Sequence, residues 1–110
     1  MLSTPYKNAT ICLGLLVACT APSFSDDSVK VTQKGKQFSE KQLSLKAGQS
    51  VLFVNDDNVA HNVYTIIKGK KQDLGLQKPN EENSIAFEQS GTYRVRCAIH
   101  PKMKMVVKVE

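Results

Sequence analysis

A chain of 110 residues holds one domain, and 15 basic against 10 acidic residues leave a formal net charge of +5. The lysines are interleaved with acids and no aromatic-rich basic element accompanies them, which argues against a nucleic-acid partner and for a soluble basic surface. The longest apolar run covers residues 9–18, about half of what a membrane-spanning helix needs.

That run opens the chain order. Residues 1–8 carry one positive charge, Lys7, and residues 9–18 are apolar apart from Thr10 and Gly14. This is the pattern of a secretory signal, ended abruptly by Asp26-Asp27. Two exits compete. Ser23-Phe24-Ser25 suits cleavage after Ser25, which is the favoured expectation. Leu16-Val17-Ala18-Cys19 resembles a bacterial lipobox, in which Cys19 would carry a lipid anchor. The expected organisation is a signal peptide over 1–25 and one mature domain over 26–110, exported to the periplasm. Cys12 and Cys19 fall in or at the end of the leader, so Cys97 is the single thiol of the mature domain. A lone cysteine in an exported protein has no disulfide partner and calls for another use.

Beyond the leader the chain reads as short strands. Residues 29–32 and 43–46 alternate in polarity, and Ala47-Gly48 stops the second. Residues 51–54 are apolar on both faces, as in a central strand, and 55–58 form a turn cluster. Residues 63–67 are β-prone. The polar stretch 68–83, with Gly69, Gly75 and Pro79, reads as loop. Strands follow at 84–88, 92–97 and 105–110, with a turn at Ser90-Gly91. No segment has a helical period. The prediction is an all-β sandwich or barrel. In strand 92–97, alternation sets Tyr93, Val95 and Cys97 on the inner face and Arg94 and Arg96 on the outer one.

Cys97-Ala98-Ile99-His100-Pro101-Lys102-Met103 places a thiolate, an imidazole and a thioether within seven residues. His61, the other of only two histidines, follows the 51–54 strand and reaches the same end of the sandwich. Cysteine, two histidines and a methionine are the ligand set of a mononuclear electron-transfer copper site. Structural zinc prefers more Cys or His and no thioether. A binuclear copper centre would need a second cysteine in the loop. Cys–His nucleophilic catalysis would need a substrate cleft that so small a β-domain barely provides.

The segment Cys-x2-His-Pro-x-Met, followed by a C-terminal strand, resembles the amicyanin branch of the plastocyanin-like cupredoxins, the type 1 blue copper proteins. Phe38, Leu43, Leu45, Gly48, Val51, Phe53, Asn55, Asp57 and the triplet His61-Asn62-Val63 fall in that family's order. The resemblance covers residues 29–110. It implies a single cupredoxin-like Greek-key β-sandwich with one copper, held equatorially by His61, Cys97 and His100. It implies that Met103 is the axial ligand, as in the short amicyanin-type loop. Met105 is the alternative, matching the plastocyanin-type spacing, although Met105, Val107 and Val109 share one strand face and read as core. Asn62 would tie the two ligand loops together by hydrogen bonds. Pro101 has no N–H to give the thiolate.

In the family the histidine of the C-terminal loop marks the electron exit, here His100. Lys102 and Lys104 flank it and would steer an acidic partner, whereas Lys68, Lys70 and Lys71 read as a solvated face. The expectation is a monomeric electron carrier, not an enzyme, serving redox proteins such as a c-type cytochrome or a dehydrogenase. The rival expectation is a copper carrier or scavenger that delivers its metal instead of cycling it.

Overall fold

The computed structural model describes residues 28–110. The expected signal peptide 1–25, cleavage after Ser25 and lipidation at Cys19 lie outside the described residues. The described residues form nine strands and no helix. In chain order they are β1 (Ser28–Lys34), β2 (Gln37–Phe38), β3 (Gln42–Leu45), β4 (Gln49–Asn55), β5 (Val63–Ile67), β6 (Lys70–Asp73), β7 (Glu82–Phe87), β8 (Gly91–Cys97) and β9 (Lys104–Val109). Two sheets result, with strand orders β3-β9-β8-β5-β6 and β2-β1-β4-β7. Parallel pairing of β1 with β4 and of β3 with β9 ties the two ends of the described segment into the sandwich, one in each sheet.

Period-two patterning decides which side chains meet between the sheets. β4 buries Val51, Phe53 and Asn55 and leaves the residues between them half-buried. β9 buries Met105, Val107 and Val109. β8 buries Val95 and Cys97, with Tyr93 half-buried against the core and Arg94 exposed, so the predicted phase holds. Phe38 and Phe53 pack edge to face at 6.1 Å, and Phe87 lies 5.3 Å from Tyr93.

The stretch 68–83 is not all loop, contrary to expectation. Lys70–Asp73 pairs antiparallel with β5, Ile67 opposite Lys70. Lys68 and Gly69, at φ 52° and 74°, form the two-residue turn between them. All four residues of β6 are exposed, so no apolar alternation marks the strand. Its backbone pairing alone makes it an edge, and its lysines discourage another chain from adding on. The two-residue β2 was likewise invisible to patterning. It closes a hairpin through Gly35 and Lys36, at φ 62° and 57°.

Two registers place the site. Val63 of β5 pairs with Cys97 of β8, so the segment carrying His61 arrives beside the thiol. β8 and β9 pair from Gly91–Val109 to Arg96–Lys104. One step further, the Cys97 N–H reaches the Met103 carbonyl at 3.3 Å.

Candidate metal centre

His61 sits on the connection between β4 and β5, completely buried. Its backbone is clamped in an isolated antiparallel bridge: the His61 N–H donates to Gln77 O at 2.9 Å, and the Gln77 N–H to His61 O at 2.7 Å. Asn55, also completely buried, shapes the preceding turn. Its Nδ2 donates to Val59 O and Gln77 O, each at 2.9 Å, and its Oδ1 accepts the Asp57 N–H at 2.9 Å. The Gln77 Nε2 donates to Phe53 O at 2.9 Å, while its Oε1 accepts from Gln33 Nε2 at 2.6 Å. Buried amides thus hold the histidine-bearing loop against the sheet, each bond strengthened by the absence of competing water.

Cys97 ends β8 with 2 % of its surface exposed. The Asn62 N–H points at its Sγ from 3.3 Å. Asn62 also accepts the Ala98 N–H on its carbonyl at 2.8 Å. The two loops are therefore joined through the Asn62 backbone. The Asn62 side chain turns away and donates to Asp73 Oδ1 at 2.6 Å, an oxygen that also accepts the Gly75 N–H at 2.8 Å. Those bonds, the Asn62 side chain first, hold the Asp73 carboxyl below the usual range. The unforeseen strand β6 thereby braces the site.

His100 lies on the turn between β8 and β9, half-buried, its carbonyl accepting the Met103 N–H at 2.9 Å. Burial lowers its pKa, and the nearby His61 and Lys36 act in the same direction. The effect favours the neutral ring, whose nitrogen can bind a metal at neutral pH.

His61 Nδ1 and His100 Nδ1 are 3.1 Å apart, and Cys97 Sγ lies 3.8 and 3.7 Å from them. A point equidistant from three atoms so spaced lies about 2.1 Å from each, close to the reach of metal–imidazole bonds and slightly inside that of metal–thiolate bonds. His61 Nε2 lies 2.9 Å from Asp57 Oδ2. An ionised carboxylate only accepts, so the proton sits on Nε2 and neutral His61 turns the Nδ1 lone pair to the triangle. Asp57 stays ionised: the Lys36 N–H, at 2.9 Å from the same oxygen, and His61 hold its pKa far below the ordinary value. The three groups fit a single soft metal ion with no rearrangement of the chain.

Both candidate methionines are buried, Met103 at 1 % and Met105 at 2 % exposure. Met103 occupies the loop position opposite Cys97, whereas Met105 pairs with Val95 two steps further into the sandwich. Pro101, Lys102 and Lys104 are exposed around His100. Asp57 and Gln77 had been given no role from sequence. An acid four residues before a candidate histidine was the available signal for Asp57. Gln77, in a polar stretch read as loop, offered none.

The sequence pattern of the copper-binding proteins of the plastocyanin/azurin family matches residues 25–110. The chain belongs to this family, and its two sheets are a cupredoxin sandwich. Among its relatives is the methylamine utilization protein MauL of Methylorubrum extorquens, 27 % identical over 106 residues, 96 % of this chain and 93 % of that protein. Amicyanin from Paracoccus denitrificans is 28 % identical over 93 residues, 82 % of this chain and 71 % of that one. A solved structure of a reduced amicyanin variant superposes with a TM-score of 0.72 at 27 % identity, covering 78 % of this chain and 85 % of that one. The cofactor is copper, one ion per chain. No helix among the described residues is long and apolar enough to cross a membrane.

Proposed function

We propose that this protein is a periplasmic electron carrier and not an enzyme, holding copper through His61 Nδ1, Cys97 Sγ and His100 Nδ1, with Met103 as the axial donor. The observation that carries the reading is the buried triangle of those three atoms, with both imidazole nitrogens facing one thiol. Bound copper supplies a one-electron Cu(II)/Cu(I) couple. The chain's part is to keep the donors still. Asp57 fixes the His61 tautomer, Asn62 gives Cys97 Sγ a hydrogen bond, and Gln77 clamps the backbone of His61. The position of Met103 opposite Cys97 favours it over Met105. Half-exposed His100 gives electrons a short route to a docked redox protein, whereas His61 and Cys97 are closed to solvent.

Similarity to MauL and amicyanin supports partners among redox proteins, a c-type cytochrome or a dehydrogenase. It also supports export to the periplasm, with a lipid anchor through Cys19 as the alternative route. The delivery reading draws little from the geometry, because a closed thiolate site releases metal slowly.

Titration of the purified chain with Cu(II) tests the reading. An intense visible thiolate-to-copper band should grow to one equivalent, and Cys97→Ser should abolish it. Binding without that band would overturn the assignment of Cys97 as a ligand.

A further inference from the structure

Beside His100 the surface opens into a cleft of about 650 Å³. The Cys97–Met103 loop forms one wall and the β1–β2 hairpin with the start of β3 forms the other. Lys102 and Lys104 line it, as their nearness to His100 in the sequence suggested. The fold adds Lys36, from the turn between β1 and β2 of the opposite sheet, and Lys41, from the residue before β3. All four lysines are exposed, and none of their ammonium groups is in an ion pair among the described residues. No acidic residue lines the cleft. Four like charges facing one hollow repel each other and attract a complementary ligand. Lys36 is also fixed in place, since its N–H binds the Asp57 oxygen that holds His61. Ile99, 46 % exposed, supplies apolar area between the charges, with buried Phe38 beneath the cleft.

Resting on the electron-carrier reading, we propose that this cleft seats an acidic segment of a redox protein, with carboxylates on Lys36, Lys41, Lys102 and Lys104 and its backbone against Ile99. A docked segment there lies against His100, so binding and electron exit coincide. The concave shape suits a protruding peptide better than a flat lipid surface. The lining's one Phe, Phe38, is buried, which leaves a single half-exposed ring, His100, too little to stack successive bases of a nucleic-acid strand.

The test is a titration of the copper-loaded, reduced chain with hexaglutamate at low salt, followed by amide NMR. Saturable shifts are expected at Lys36, Ile99 and Lys102, fading as salt is raised. K36E/K41E and K102E/K104E should each weaken binding about tenfold, and K30E/K108E, placed elsewhere on the sheets, should not. The proposal is overturned by absent or scattered shifts. It is equally overturned if inorganic phosphate reproduces the shifts, or if phosphatidylglycerol vesicles bind more tightly than the peptide. The visible band of each sample, recorded in the Cu(II) form before reduction, separates the two readings. A coloured protein that ignores hexaglutamate loses the docking site alone, while a colourless one loses the carrier reading on which it rests.

Discussion

Cys97 Sγ receives one backbone hydrogen bond, from Asn62, and two imidazole nitrogens stand within 3.8 Å of it. A buried thiolate in that position needs positive charge close by, which a metal ion supplies. Asp57 then acts through His61, because the carboxylate decides which ring nitrogen keeps its proton. The methionine proposal is also tested at this scale. Met103→Leu removes a weak donor that favours Cu(II), so the reduction potential should rise. Each tenfold loss of preference for Cu(II) reads as about 59 mV. Met105→Leu, nearly volume-conserving in the core, should cost less than about 1.5 kcal/mol and leave the potential unchanged. Voltammetry of the two variants checks this, and a shift confined to Met105→Leu would make Met105 the axial donor. The grouping of His61, Cys97 and His100 was legible in sequence because soft ligands are rare and were clustered, whereas Met103 and Met105 both remained candidates. Asp57 and Gln77 were not legible, because a carboxylate or amide on a turn has many ordinary uses.

Among the elements, β8 is the one on which the site depends, and it begins at a constrained glycine. Gly91 has φ 149°, and a Cβ there would meet Tyr93 Oη at 3.3 Å. That oxygen is engaged, donating to Gln89 O at 2.8 Å. Gly91→Ala should therefore cost about 1–3 kcal/mol and lower Tm by roughly 5–15 °C, measured by thermal unfolding. An unchanged Tm would show that the turn relaxes freely. β1, β3 and β8 were readable from alternation, and β4 and β5 from apolar or β-prone runs that the sandwich buries. β6 was not, since all its side chains are exposed and its pairing is with backbone. Its contribution can still be measured through Asp73. Folding lowers that pKa, so the unfolded chain takes up the proton first. The stabilisation is complete above the ordinary carboxylate range and is lost as pH falls through the depressed value. Denaturation midpoints between about pH 3 and 7 should thus fall less steeply for Asp73→Asn than for the parent chain. Parallel profiles would contradict this.

At the scale of the molecule, two sheets hold the donors from both sides. His61 is fixed to the frame by Gln77 and Asn55, and Cys97 by strand β8. The donors therefore have little room to move between oxidation states, which is the condition for fast one-electron exchange. The same packing that makes a small core cohere makes the site stiff. The all-β class was legible from the spacing of short strands, but the meeting of four lysines in one cleft was not, because Lys36 comes from the other sheet and Lys41 arrives only through the parallel pairing of β3 with β9. Rigidity is the central claim, and cyclic voltammetry of the copper-loaded chain with excess Cu(I) chelator present tests it most directly. A single reversible one-electron wave that persists over repeated cycles is the expected result. A wave that decays as reduced copper passes to the chelator would show a site built to release its metal and would contradict the account.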